Sequence, residues 1–156
     1  MAFAKPSLKG RALRLLSLRE HSRTELERKL ASFEEEPGTL AQALDELQAK
    51  GFISEARVLE SVIHRRAAKL GAIRIRQELQ DKGLDSQMVE QAMDELRGSE
   101  FERARDVWRR KFGLPPDSLA AHARQVRFLM ARGFSAEVVR RVLTAAGSED
   151  SDFQEE

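Results

Sequence analysis

Apolar residues recur along this chain at intervals of three and four rather than two. Leu8, Ala12, Leu15, Leu16 and Leu18 form one stripe, and Leu26 with Leu30 a second, so residues 8 to 30 predict two helices. Between them Ser22-Arg23-Thr24-Glu25 reads as a capping box, its serine placed to accept from the amide of the third helical residue. Gly38 and Thr39 break and recap the chain, Thr39 forming another box with Gln42, and a third helix carrying LAQALDEL (40–47) runs to Gly51. Strand signals are absent: the chain has no Tyr, and its β-branched residues never alternate over a useful length.

The same plan is then written again. VEQAMDEL (89–96) repeats LAQALDEL at a distance of 49 residues, with Gln91, Ala92, Asp94, Glu95 and Leu96 identical to their counterparts. Ahead of it, VLESVIHRRAAK (58–69) and RIRQELQDK (74–82) predict two helices, and Ile75 and Leu79 match Leu26 and Leu30 at the same spacing. Gly83 is placed as a left-handed cap and Asp85 as the next N-cap. A third round opens on Ser99-Glu100-Phe101-Glu102, read as a further capping box. Its first helix carries Ala104, Val107, Trp108 and Phe112, and Pro115 and Pro116 end it. RQVRFLMARGFSAEVVRRVLTAAG (124–147) follows, with Leu129, Gly133 and Phe134 echoing Leu79, Gly83 and Leu84 at spacing 50.

A fixed period of this length is the mark of a repeat protein. The expected fold is all-α: three tandem three-helix, helix-turn-helix-like repeats over residues 1–53, 54–98 and 99–147, followed by an unstructured acidic tail, 148–156. Units of about 50 residues hold little core alone, so neighbours stack, and three in a row predict an elongated, curved body of roughly 60 to 75 Å.

Composition narrows the classes further. Apolar residues make up 41% of the 156, too many for a disordered chain. No apolar run approaches the roughly 18 residues that span a bilayer, and Arg11 and Arg14 interrupt the N-terminal apolar stretch, so the expectation is a cytoplasmic protein with no membrane partner. The absence of cysteine removes disulfides, thiolate metal sites and cysteine nucleophiles together.

Catalytic chemistry finds no foothold. His21, His64 and His122 are spaced unlike metal ligands and read as surface or partly packed imidazoles. Asp45-Glu46 and Asp94-Glu95 are helix neighbours about 100° apart, which suits a solvated face and not a paired acid and base. Phosphate-cradling loops, nucleophile elbows and triads are missing. Trp108 stands at a core position, and most Phe residues read as buried. The expectation is therefore no enzyme, no cofactor and no metal.

Charge is where the chain becomes specific. The formal net charge is +1, yet residues 57–76 hold six bases against one acid, residues 99–148 ten against five, and the last eight residues five acids and no base. Arg65, Arg66, Lys69, Arg74 and Arg76 crowd one inter-helix turn, without the mixed signs that a self-sufficient helical surface uses. Arg124, Arg127, Arg132, Arg140 and Arg141 make the third repeat basic. These ten are the candidate partner-binding residues, facing an acidic protein surface or nucleic acid. Reading of duplex DNA by tandem recognition helices is disfavoured, because the third helices of the first two repeats carry Asp45, Glu46, Asp94 and Glu95 toward any phosphate.

Four stretches in this order resemble the RecX family of bacterial regulators of the RecA recombinase: ALRLLSLREHSRTELERKL (12–30), AKGFISEAR (49–57), GAIRIRQELQDKGLD (71–85) and RFLMARGFSAEVVRRVL (127–143). The chain departs from the family at Ser54 and Arg57-Val58, where many members have an aspartate and an arginine-phenylalanine pair, and its FEEEPGT turn (33–39) is irregular. The resemblance implies three tandem three-helix repeats. It also implies a monomeric protein of DNA repair and the SOS response that lies in the helical groove of the RecA nucleoprotein filament and suppresses ATP hydrolysis, coprotease activity and strand exchange. The alternative is a helical-repeat module that competes with the recombinase for single-stranded DNA.

Overall fold

The computed structural model describes residues 4–154, and the side chains of residues 4–149. Among these there are nine α-helices and no strand. The first repeat comprises α1 (Leu8–Leu18), α2 (Arg23–Leu30), a 3-10 turn (Ala31–Phe33) and α3 (Thr39–Ala49). The second comprises α4 (Glu55–Arg66), α5 (Ala72–Asp81) and α6 (Ser86–Arg97), and the third α7 (Glu100–Lys111), α8 (Leu119–Ala131) and α9 (Ala136–Gln154). By backbone packing the chain forms two compact units, Met1–Ser61 with Leu79–Ser86, and Val62–Glu78 with Gln87–Glu156.

The repeated octad packs the same way twice. Leu40, Leu44 and Leu47 are buried in α3, and Val89, Met93 and Leu96 in α6, while Asp45, Glu46, Asp94 and Glu95 stay exposed. The first unit closes over Ala12, Leu26, Leu30, Leu44, Leu47 and Ile53. In the second unit α7, α8 and α9 enclose Ala104, Trp108, Leu129, Phe134, Val139 and Val142. Trp108 is a core residue, as its position predicts, and its indole Nε1 donates to Gln125 Oε1 at 2.8 Å, which satisfies its one polar atom.

The glycines that end the second helix of repeats two and three are joints as well as caps. In the first unit Gly83, at φ +71°, lies against Thr24 of α2, where a Cβ would come within 2.1 Å of Oγ1. Lys82 beside it pairs with Glu25 at 3.1 Å, and Arg28 donates to the Asp81 carbonyl at 2.8 Å. In the second unit Gly133, at φ +94°, lies against Arg74, while the Gly71 amide donates to the Arg132 carbonyl at 2.8 Å. The 50-residue period thus repeats a contact between a turn and the preceding repeat's second helix, as well as a helix pattern.

Several local expectations are corrected. The Ser22 box forms in full, but Thr39 is the first helical residue of α3, preceded by Gly38 as N-cap, and its hydroxyl donates to the Glu36 carbonyl at 2.7 Å. Ser99 precedes α7 without capping it, because its hydroxyl donates back to the Leu96 carbonyl at 3.2 Å. Leu18 is 76% exposed, off the face that buries Ala12, and only Phe134 among the described phenylalanines is fully buried. His21 is almost wholly buried. The α9 backbone runs on to Gln154 through Gly147 and Ser148, where the sequence reading ends it; Gly147 is not among the positive-φ glycines, and the Ser148 hydroxyl donates to the Thr144 carbonyl. The tail side chains from Asp150 on lie outside the described residues.

Candidate partner-binding surface

The α4–α5 turn is a helix C-terminus whose carbonyls need donors. α7 supplies them: Arg103 Nη1 donates to the Ala67 and Leu70 carbonyls, each at 2.8 Å, and Arg110 Nη2 to the Ala68 carbonyl at 2.8 Å. Cations at such an end are favoured by the helix dipole as well. Glu100, buried, accepts from the Ala72 amide at 3.0 Å, so its carboxylate caps the start of α5. Arg103 also pairs with Glu100, so one ion pair fixes both sides of the turn. In the sequence Glu100 has no role beyond a place inside the Ser99–Glu102 box; its contact across 28 residues leaves no local signal.

This frame sorts the five candidate cations of the turn. Arg65 and Lys69 are exposed, with no side-chain partner among the described residues. Arg66 pairs with Glu78 at 3.2 Å, although its Nε and the second Glu78 oxygen are buried without a partner. Arg74 donates to the Ala131 carbonyl at 2.8 Å, and Arg76 pairs with Glu90 at 3.1 Å. Two of the five are therefore free, and three are already engaged by groups of the fold.

The third-repeat set divides likewise. Arg132 lies over the Phe128 ring, 4.9 Å from its centroid, and Arg141 over Phe101 at 4.8 Å. Arg124, Arg127 and Arg140 are exposed with no ion-pair partner among the described residues. Arg140 borders an apolar cleft between α8 and α9 lined by His122, Val126, Met130 and Leu143. Sequence reasoning did not single out Arg109 and Arg110, which with Arg103, Asp106 and Ala68 form an open basic cleft beside the turn. The signal was present as the run Arg109-Arg110-Lys111, but only the fold brings it against Ala68.

Three family models match in order: the first three-helix domain of RecX over residues 9–47, the second over 54–93 and the third over 99–143. The chain belongs to the RecX family. It is 56% identical over 143 residues to the regulatory protein RecX of Leptothrix cholodnii, covering 92% of this chain and 91% of that one. Against the regulatory protein RecX of Ralstonia nicotianae it is 46% identical, over 90% and 88% of the two chains. The crystal structure of RecX from Lactobacillus salivarius superposes with a TM-score of 0.71 at 21% identity, over 90% of this chain and 94% of that one, which is a likeness of fold. The RecX architecture of three consecutive three-helix domains is therefore the architecture of this chain. Among the described residues, no helix is long and apolar enough to cross a membrane.

Proposed function

We propose that this protein is a non-enzymatic regulator that binds the RecA nucleoprotein filament in its helical groove and inhibits the filament's ATPase, coprotease and strand-exchange activities. The reading is carried by the three RecX domain matches in sequence order, together with relatives named regulatory protein RecX that align over nearly their whole length. On this reading the protein is proposed to act as a monomer in the cytoplasm, within DNA repair and the SOS response. The contact is proposed to run through Arg65 and Lys69 on the turn and Arg124, Arg127 and Arg140 in the third repeat, which have no ion-pair partner among the described residues, together with Arg109 and Arg110 of the cleft beside the turn. Such charges steer association and set register more than they add affinity. The alternative of competition for single-stranded DNA is less well supplied, since stacking platforms are few and Arg11 already covers Phe33 at 3.9 Å from the ring centroid.

The deciding measurement is phosphate release by RecA on single-stranded DNA across a titration of this protein. Substoichiometric protein is expected to lower the rate while hydrolysing no nucleotide itself. An unchanged rate at saturation overturns the reading, and binding to bare DNA with none to the assembled filament favours the DNA-competing module.

A further inference from the structure

The first repeat holds a second cationic site that the proposed filament contact does not use. Lys9, Arg19, Arg23, Arg57 and Lys82 of the same compact unit each lie on a carboxylate. Arg11, Arg14 and Lys29 do not. They converge instead on the rim of one cleft between α1 and the end of α2, whose floor is Leu15, Leu30 and Phe33. Arg14 is exposed with no ion-pair partner among the described residues, Arg11 stacks on Phe33, and Lys29 donates to His21 Nε2 at 3.2 Å. Among the described residues, no acidic one lines the cleft. The adjoining depression at Ser7, Ser32 and Thr39 carries Glu35 and Glu36, so an anionic occupant is directed to the Arg11, Arg14 and Lys29 side.

We infer that this cleft binds a short acidic segment of a partner protein, seating one apolar side chain on Leu15, Leu30 and Phe33 with flanking carboxylates on Arg11, Arg14 and Lys29. Three observations select that occupant. The volume is about 230 Å3, below the roughly 300–1,000 Å3 of sites that enclose drug-sized ligands and suited to a single side chain. The floor is apolar, and Phe33 remains 45% exposed, so it retains surface to cover. The rim is of one sign, which selects carboxylates on both sides of the anchor. A nucleotide suits it less, because the Arg11 guanidinium occupies the ring face on which a base would stack.

The test is fluorescence anisotropy with the full chain and a labelled peptide of alternating aspartate and glutamate around one central leucine. Wild-type protein is expected to bind it, and replacing the leucine by serine is expected to weaken binding several-fold. The double substitution Arg14→Glu with Lys29→Glu is expected to cost about tenfold, and a lysine-for-acid version of the peptide should bind the double variant better than the wild type. Because Lys29 also touches His21, Arg14→Glu alone, whose native side chain has no partner to lose, is measured beside it and is expected to cost about threefold. Each variant is compared at unchanged helicity by circular dichroism. The inference is overturned if wild-type protein fails to bind the peptide, if leucine and serine peptides bind equally, or if Arg14→Glu leaves affinity unchanged. It is also overturned if oligothymidylate outcompetes the peptide and loses its own binding on Arg14→Glu, which would make the occupant a nucleic acid. Loss of peptide binding leaves RecA inhibition untouched, so the two readings fail separately.

Discussion

Three donors converge on the carboxyl of Glu25: the Arg19 guanidinium at 2.6 Å, the Lys82 ammonium at 3.1 Å and the Ser22 amide at 3.2 Å. Burial alone would raise this carboxyl, but the hydrogen bonds from Arg19, Ser22 and Lys82 outweigh it and bring it down to about 2. A folded-state value below the ordinary 4.5 means the unfolded chain takes up the proton first, so stability is present above 4.5 and lost as pH falls toward 2. The loss is on the order of 2 kcal/mol. Buried His21 acts in the same direction, since burial, foremost, lowers it below 6.5, and stability already declines as pH drops past that value. Urea unfolding from pH 7 to pH 2.5 should show both stages, and Glu25→Gln should flatten the lower one. At the same scale, Arg103→Ala strips donors from the Ala67 and Leu70 carbonyls and leaves Glu100 buried without its cation. A cost of about 3 kcal/mol is expected by denaturant titration, with Arg65→Ala near zero as the control.

At the scale of elements, the helices were legible because their apolar stripes are strong, and the repeat because Leu26, Ile75 and Leu30, Leu79 keep their spacing. The joints were legible only as caps. Gly83 and Gly133 announce a left-handed turn, but their contacts with Thr24 and Arg74 cross a repeat boundary, and those two positions share no residue type that would mark them. The same limit hid the fate of the basic cluster: a sequence shows that Arg74 and Arg76 are cationic, not that Ala131 and Glu90 already occupy them. Gly133→Ala tests the joint directly. It combines a positive φ with a Cβ 2.4 Å from the Arg74 side chain, so about 3 kcal/mol or more should be lost. Gly38→Ala, with φ +89° and open space around the added carbon, should lose only about 1 kcal/mol. Equal losses in urea melts would mean that strain alone, and not docking, sets the glycine at 133.

At the scale of the whole molecule, a formal charge of +1 conceals two opposed populations: cations the fold leaves unpaired and a terminal run of acids. Function should track the first and be tempered by the second. Reversing Arg65 and Lys69 to Glu removes charge without breaking a described ion pair. Affinity for the RecA filament should therefore fall in a salt-dependent way at unchanged melting temperature, whereas Arg74→Glu with Arg76→Glu confounds binding with lost structure.

The acids of residues 149–156 begin beside this surface, since Glu149 lies 3.7 Å from Arg109, which borders the basic cleft at Ala68. Both side chains are about half exposed, 48% and 57%, so the pair is worth on the order of 1 kcal/mol or less. That still permits up to about a fivefold effect on affinity. Removing residues 149–156 deletes five acids and no base, taking the formal charge from +1 to +6. The truncated protein should bind the filament up to about fivefold more tightly at low salt, with the advantage gone near about 0.5 M salt, where the screening length falls to a few ångströms. Superimposable titrations of the two proteins at low salt would instead leave the acids as a solubilising end that never competes for Arg109.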